Sequence, residues 1–225
     1  MGYQFQFNVI WQNWPLFLEG IKLTIVITSI ATGLGLLIGT IMAGLQLMKN
    51  RVISSIIQVY IEIIRNTPFL VQLFFVFFGL PTLGIKLQAG QAALIALTIN
   101  IGAYATEIVR AGIEEISKGQ IEAGRSLGLS GLQIFIYIIL KPALMTVYPA
   151  LTSQFILIML NSAVISVISA QELAYQAKYL QSRTFRSFEI YFFVTLLYLL
   201  LAYLFRIAFG LISKVAFGKA RLNQQ

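Results

Sequence analysis

The sequence has 225 residues, of which 58% are hydrophobic and only 11% charged, with a mean hydropathy of +0.84; this is too apolar for a water-soluble domain. Cysteine and histidine are both absent, which excludes disulfides, thiolate or imidazole metal sites and histidine-based catalytic triads. The net charge of +8 is better explained by basic residues flanking membrane helices than by nucleic-acid binding.

Five uncharged stretches predict membrane helices. A helix rises 1.5 Å per residue, so about 20 apolar residues cross ~30 Å of hydrocarbon. The stretches of suitable length are 23–48, 69–85, 87–106, 142–171 and 190–205. Residues 126–140 are also uncharged, but we interpret them as a cytoplasmic lead into the fourth span. Because these runs are continuously apolar rather than alternating, they predict an all-α polytopic membrane protein and not a β-barrel.

Two patterns near the N-terminus concern the first span. Gly35 and Gly39 form a small-x-x-x-small pair that predicts close packing of this helix against another. A cluster of aromatic residues followed by Pro15 resembles a segment lying at the membrane interface, and a simple anchor is the alternative. Its members are Tyr3, Phe5, Phe7, Trp11 and Trp14. No internal repeat or linker interrupts the chain, which predicts one domain over residues 1–225.

The distribution of Lys and Arg predicts the orientation, since positive loops stay on the cytoplasmic side. Basic residues follow the first span, lie between the third and fourth spans, and follow the fifth. They are Lys49, Arg51, Arg110, Lys118, Arg125, Lys214, Lys219 and Arg221. Five crossings then place the N-terminus outside and the C-terminus in the cytoplasm. Lys178, Arg183 and Arg186 would be external, which goes against the rule.

The charged segment between the third and fourth spans, residues 107–131, carries the most specific pattern. Ser117 and Gln120 fit a capping box that begins a short cytoplasmic helix, and Gly128 suits the left-handed residue after its end. Ala123 and Gly124 leave one face without bulk, which suits insertion into a groove on another protein, while Glu122 and Arg125 are spaced for an ion pair. An ordinary amphipathic loop helix is the alternative.

Several motifs together resemble one known family, the permease subunits of ABC-type polar amino acid importers in the histidine and glutamine group. Its EAA loop corresponds here to Glu122-Ala123-Gly124, with Gly128 six residues after the glutamate and Ile138-Ile139-Leu140 at the end. Further matches are RNTPFLVQ at 65–72, GAYATE at 102–107, IVRAGI at 108–113 and SRTFR at 182–186. The resemblance covers nearly the whole chain.

The resemblance implies a type I importer permease in the bacterial inner membrane, in contact with lipid. Its coupling helix, about 117–128, would dock on a separate nucleotide-binding subunit through Glu122, Ala123, Gly124, Arg125 and Gly128. It also implies a second permease chain, identical or different, and an extracytoplasmic substrate-binding protein. ATP and Mg²⁺ would be bound by the partner subunit, because this chain has no Gly-x-x-x-x-Gly-Lys-Ser/Thr phosphate loop. The chain itself would hold no cofactor or metal and would not be catalytic.

The sequence departs from the family pattern at three places. Gly124 replaces the second alanine, which weakens the helix by up to ~1 kcal/mol. Lys141 stands where proline is usual, with Pro142 one residue later. Leu160 and Asn161 stand where relatives often place a charged pair, so no charge-based substrate contact is carried over.

Polar residues within the spans are candidates for the substrate pathway, because polar groups at membrane depth tend to face a cavity or another helix. Pairs at spacings of four or seven share a helical face. The candidates are Asn100 with Tyr104, Gln154 with Asn161, and Ser162 with Ser166. Asn66, Thr67 and Pro68 form a helix break whose free backbone groups could meet a ligand. Hydrogen bonding across the bundle and a plain proline kink are the alternatives.

Two acids near the spans are each followed by an arginine three residues later. Glu62 with Arg65 and Glu107 with Arg110 therefore predict local ion pairs rather than substrate contacts. With no unpaired acid evident in the spans, a zwitterionic substrate such as glutamine fits at least as well as a cation.

Two other classes of protein compete with the permease reading. A self-sufficient secondary carrier or channel would fit the five spans and scattered polar residues, but it leaves the EAA segment unexplained. An intramembrane enzyme would need a nucleophile, a base and an orienting group at suitable spacing, which the sequence does not offer.

Overall fold

The structure is a computed structural model that describes residues 4–47 and 50–222, with side chains up to residue 215. Every regular element in this part of the chain is helical. The α-helices are α1 (Asn8–Gln12), α2 (Trp14–Gln46), α3 (Arg51–Arg65), α4 (Phe69–Phe74), α5 (Leu80–Thr82), α6 (Ala89–Glu114), α7 (Lys118–Ser126), α8 (Gly131–Gln133), α9 (Lys141–Asn161), α10 (Leu173–Thr184) and α11 (Ser187–Leu222). Segments Phe75–Gly79 and Ile134–Leu140 are π-helical, and Ser162–Ile168 is a 3₁₀-helix.

Four helices are long and apolar enough to cross a membrane, namely Trp14–Gln46, Ala89–Glu114, Gly131–Ile168 and Ser187–Val215. A fifth span exists if the pair Arg51–Arg65 and Phe69–Thr82, bent by 107°, is counted as one crossing. The all-α polytopic prediction is therefore confirmed.

Two span boundaries differ from the sequence prediction. Residues 126–140 are not a separate lead, because the fourth helical span already begins at Gly131 and runs to Ile168. The second span does not stand alone either, since Phe69–Thr82 pairs with Arg51–Arg65 across the break at Pro68. Uncharged length locates a span but does not show where its helix starts.

Several residues used in the predictions lie outside the described part of the chain. Tyr3, Met48 and Lys49 are not described, and neither are the side chains of Lys219 and Arg221.

The chain forms two compact units, each assembled from three separate stretches. Unit 1 comprises Met1–Ala31, Phe69–Leu97 and Ile156–Ala208, and unit 2 comprises Thr32–Pro68, Thr98–Phe155 and Phe209–Gln225. Because the stretches interleave along the sequence, the units are not successive domains, and a single domain over 1–225 stays a prediction.

The core of unit 1 joins α2, the end of α9, α10 and α11. Phe17, Met159, Leu173 and Ile190 are fully buried in it. The N-terminal aromatic residues contact rings of α11, with centroid distances of 5.3 Å for Phe5–Phe188, 6.4 Å for Phe7–Phe192 and 6.1 Å for Trp11–Phe193. The N-terminal segment is thus held along the last helix.

The core of unit 2 holds the π-helical segment and α9 against α6. Val109 and Ile113 of α6 are buried with Ile134, Ile139 and Ala143.

Gly35 and Gly39 of α2 face α6 at close range. An added Cβ would lie 2.5 Å from Ile101 Cγ2 at Gly35 and 2.6 Å from Ala105 Cβ at Gly39. The predicted close helix contact is confirmed, and it also belongs to unit 2.

Candidate functional site

The candidate coupling helix forms where it was predicted, but its N-terminus is capped differently. Ser117 precedes α7 with extended backbone, and its side chain makes no capping hydrogen bond, so the capping box predicted at Ser117 and Gln120 is wrong. The box forms instead at the next Ser-x-x-Gln, where the Gln133 N–H donates to Ser130 Oγ (3.4 Å) and the Ser130 N–H donates to Gln133 Oε1 (2.8 Å). At Ser117, the Gln120 N–H donates to the serine carbonyl oxygen (3.1 Å).

The C-terminus of α7 agrees with the prediction. Gly128 adopts a left-handed φ of 75°. Its N–H donates to the Arg125 carbonyl (2.9 Å), and the Leu129 N–H donates to the Gly124 carbonyl (3.1 Å). These two bonds form a Schellman motif, which satisfies carbonyl groups that the helix end would leave free. Gly128 therefore ends the helix because glycine adopts a left-handed φ without steric cost.

Gly124 faces its own chain, and its predicted place on the inserting face is wrong. It is buried, and an added Cβ would clash with Ile138 Cδ1 and lie 3.3 Å from Ile134 Cγ1. The missing side chain lets α7 approach the π-helical segment closely. A glycine in Glu-Ala-Gly is compatible with either face, so spacing alone could not distinguish them.

The outward face of α7 includes Glu122, Ala123 and Arg125, which are all exposed. The predicted ion pair between Glu122 and Arg125 is absent from the described residues, so both charges remain available to a partner. Leu127 follows the helix with 80% of its surface exposed. Sequence reasoning missed this residue, and the signal was a large apolar side chain between a polar helix and Gly128.

A charged cluster in unit 2 joins α3 and α6. The Glu107 carboxylate pairs with Arg110, as predicted, and Arg110 also reaches Glu114. Arg65 Nη1 lies 3.8 Å from Glu107 Oε2, so the predicted Glu62–Arg65 pair is wrong. The Glu62 carboxylate instead accepts a hydrogen bond from Gln58 Nε2 (2.9 Å). Sequence spacing identifies possible ion pairs one turn apart on the same helix, whereas Arg65 of α3 pairs with Glu107 of α6.

Arg65 also connects the predicted helix break to the predicted pathway residue Tyr104. Its guanidinium carbon lies 5.5 Å from the centroid of the Tyr104 ring, within the range of a cation–π contact. Immediately after it, the exposed Asn66 and Thr67 side chains donate to carbonyls one turn back, Asn66 Nδ2 to Glu62 O (2.8 Å) and Thr67 Oγ1 to Ile63 O (2.7 Å). The bend between α3 and α4 follows at Pro68.

The other pathway candidates are distributed over both units. Asn100 on α6 is 8% exposed. On α9, Gln154 is half-buried and Asn161 is exposed.

Ser162 and Ser166 do not share a helical face, which corrects the prediction from their spacing. They lie in the 3₁₀-helix Ser162–Ile168, which has three residues per turn, so a spacing of four turns the side chain away by a third of a circle. Ser162 Oγ donates to Met159 O and Ser166 Oγ to Ala163 O, both at 2.7 Å. Ser162 is buried and Ser166 half-buried.

Comparison with known proteins places this geometry in context. Residues 35–215 match the family described as binding-protein-dependent transport system inner membrane component. The chain is 36% identical over 194 residues to the probable glutamine ABC transporter permease protein GlnM of Bacillus subtilis, covering 86% of this chain and 90% of the relative. It is 34% identical over 200 residues to the glutamine transport system permease protein GlnP of Escherichia coli K12, covering 88% and 91%.

Solved structures agree with these sequence relatives. A chain from the crystal structure of an amino acid ABC transporter with histidines superposes with a TM-score of 0.84 at 35% identity, covering 94% of this chain and 99% of that one. A chain of the MetNI methionine ABC transporter in an inward-facing conformation has the same fold, with a TM-score of 0.75 at 24% identity. The two superpositions cover 94% and 91% of this chain.

Proposed function

This chain belongs to the family of binding-protein-dependent transport system inner membrane components, and we propose that it is the permease subunit of an ATP-driven importer for a polar amino acid. The curated relatives named above are glutamine permeases, and the similar crystal structure is an amino acid transporter with histidines. A zwitterion such as glutamine is also consistent with the charged cluster, in which Glu107 is already neutralised by Arg110. Function in the bacterial inner membrane is part of the same proposal.

The observation that carries the coupling role is the two-sided arrangement of α7. Gly124 holds one side against Ile134 and Ile138, which belong to the helical span Gly131–Ile168. The other side presents Ala123 between Glu122 and Arg125. A partner that grips this outward face would therefore transmit its movement directly into the fourth span.

We infer that the partner is a separate nucleotide-binding subunit, which binds ATP and Mg²⁺ and carries out hydrolysis. ATP binding draws two such subunits together, their grooves move the two α7 helices, and the spans alternate between inward-open and outward-open states. This chain converts that motion into access and is not itself catalytic. Its other partners are a second permease chain, an extracytoplasmic substrate-binding protein and lipid.

The proposed pathway follows the polar side chains that the spans carry. In unit 2 it includes Tyr104, Asn100 and the break at Asn66, Thr67 and Pro68, and the Arg65 guanidinium above Tyr104 adds a group that can orient a carboxylate.

Further along the chain, the proposed pathway includes Gln154, Asn161, Ser162 and Ser166. The amide groups of Gln154 and Asn161 have no hydrogen-bond partner among the described residues, which leaves them available to a zwitterion. The serine hydroxyls already donate to their own helix, so their oxygens would serve as acceptors.

The test is uptake by the complete complex reconstituted in lipid vesicles. Labelled glutamine is offered with ATP inside the proteoliposomes on the side of the ATPase subunit, and each other amino acid competes in turn. We expect ATP-dependent uptake that polar amino acids inhibit. Uptake by the permease alone along an ion gradient would instead identify a secondary carrier and refute the proposal.

A further inference from the structure

The segment between the fourth and fifth spans carries positive charge where the orientation rule disfavours it. Lys178, Arg183 and Arg186 lie on or just after α10, and α10 is external if α7 is cytoplasmic. Arg186 is held within the fold, since its Nη1 donates to Gln4 O (3.0 Å) and lies 3.9 Å from Glu189 Oε1. Lys178 and Arg183 are exposed and have no carboxylate partner among the described residues.

The start of α10 is fixed by a buried polar junction. The fully buried Glu172 carboxylate accepts hydrogen bonds from the Tyr198 hydroxyl (2.6 Å), the Tyr175 N–H (2.8 Å) and Thr24 Oγ1 (3.5 Å). The Leu173 N–H in turn donates to Thr24 Oγ1 (3.2 Å). Because α2 and α11 both hold this one carboxylate, α10 is oriented as a rigid element.

One face of α10 is buried, and the opposite face presents stacked aromatic rings and a guanidinium group. Leu173, Gln176, Ala177 and Leu180 form the buried face. On the other side the rings of Tyr175 and Tyr179 stack with a centroid distance of 6.5 Å and an interplanar angle of 13°. The Arg183 guanidinium lies 4.5 Å above the Tyr179 ring. The stack orders these side chains before a partner arrives, which lowers the entropy cost of binding.

The turn after α10 holds an aromatic ring in an unfavourable backbone conformation. Phe185 has a left-handed φ of 58° and 81% of its surface is exposed. A bulky non-glycine residue in this region costs about 1–3 kcal/mol, and such strain concentrates at functional sites. Burial does not explain the ring, since it has little contact with its own chain. The backbone conformation ends α10, with the Phe185 N–H donating to Gln181 O (2.8 Å), and a partner that covers the ring would explain its exposure.

The chemistry of this face favours a protein that presents carboxylates. The only acid on or beside α10 up to Phe185 is Glu172, which is buried, so the exposed charge is entirely positive. Tyr and Arg are enriched among residues that dominate protein interfaces. Anionic lipid is the other source of negative charge, and changing the lipid composition of the vesicles distinguishes it from a protein.

We propose that Lys178, Tyr179, Arg183 and Phe185, the α10 face, form a docking surface for the extracytoplasmic binding protein, which meets them with acidic residues. This inference rests on the proposed importer function. The two cations steer the encounter and the two rings supply the buried contact.

Charge reversal tests the electrostatic part of this inference. The complete complex in vesicles of neutral phosphatidylcholine is titrated with its purified binding protein, loaded with the amino acid found in the uptake competition, and the stimulated ATPase rate is measured. In Arg183→Glu, we expect roughly a tenfold rise in the binding-protein concentration that gives half-maximal stimulation. Arg183→Lys should stay near wild type, and the basal ATPase rate should not change in either variant.

The outcomes separate this inference from the importer proposal. A wild-type complex without ATP-driven uptake would refute the importer proposal itself. A wild-type complex that responds to the binding protein, with the same half-maximal concentration in Arg183→Glu, would overturn only the docking surface. A defect seen only when phosphatidylglycerol is present would assign the surface to lipid and would also overturn it.

Crosslinking gives a second test that does not depend on a damaging substitution. The chain has no cysteine, so Ser182→Cys, at an exposed position of α10, carries a unique photoreactive maleimide. We expect it to capture the loaded binding protein. Ser126→Cys, exposed on α7, is the matched control and should not capture it. Capture at position 182 of only a second permease chain would contradict the inference.

Discussion

Replacing Gly128 with alanine should uncouple ATP hydrolysis from transport. Gly128 has a φ of 75°, and an added Cβ would meet nothing within 4 Å, so the whole effect comes from the backbone. A left-handed alanine costs about 1–2 kcal/mol, which lowers the ratio of intact to frayed Schellman ends by roughly 5–30-fold. The outward face of α7 would then be correctly presented less often than in the wild type.

Gly131→Ala is the matched control, because an added Cβ there also meets nothing within 4 Å, its φ is not left-handed, and it lies in α8 rather than on the docking face of α7. Alanine is the better helix former by up to ~1 kcal/mol, so this variant should keep wild-type coupling. Gly128→Asn should fall between wild type and Gly128→Ala, since asparagine tolerates the left-handed region.

The assay is the number of amino acid molecules imported per ATP hydrolysed in proteoliposomes. We expect this ratio to fall severalfold in Gly128→Ala while substrate binding is preserved. An unchanged ratio in Gly128→Ala, or an equal fall in Gly131→Ala, would show that the left-handed end of α7 is not required for coupling.

Three further substitutions test other parts of the structure. Gly39→Ala places a Cβ 2.7 Å from the Thr106 backbone nitrogen, whereas at Gly33 nothing lies within 4 Å of an added Cβ. Thermal unfolding in detergent should show that Gly39→Ala lowers the free energy of unfolding by about 1–3 kcal/mol. Gly33→Ala should change it little. Burial raises the pKa of Glu172 above its ordinary value of 4.5. The stabilising contribution of this group is therefore complete below pH 4.5 and is lost as pH rises through the raised pKa. In Glu172→Gln, the melting temperature should accordingly vary less with pH over that range than in wild type. Glu107→Gln removes the carboxylate shared by two arginines, and uptake assays should show weaker transport with the protein still folded.

The parts of the fold that could be predicted depend on composition and on single-residue conformational preferences. Uncharged length identified the spans, because hydrocarbon excludes charge whatever the tertiary structure. Gly128 was predicted to end α7 because only glycine adopts a left-handed φ without strain. The Gly35–Gly39 contact was likewise predictable, since small residues permit close helix approach.

The errors share a different cause, because each depends on contacts between distant residues. Arg65 has an acid one turn away in the sequence, yet it meets Glu107 of α6. Gly124 was assigned to a partner, yet it faces Ile138. Ser-x-x-Gln occurs at both Ser117 and Ser130, and only the second forms the box.

Irregular helices account for the remaining differences. The 3₁₀-helix Ser162–Ile168 and the π-helical segment Ile134–Leu140 are long apolar stretches whose residues fit an ordinary α-helix equally well. Because a 3₁₀-helix has three residues per turn rather than 3.6, the face on which Ser166 lies could not be read from α-helical spacing.

Coupling requires the outward face of α7 to contact a nucleotide-hydrolysing subunit, and site-specific crosslinking from Ala123 detects that contact. Ala123 is exposed, and Ala123→Cys would be the only cysteine in the chain. With a short crosslinker and the assembled complex, we predict capture of the ATPase subunit, with an efficiency that changes when ATP is added. Failure to capture that subunit in a complex that still transports would contradict the account.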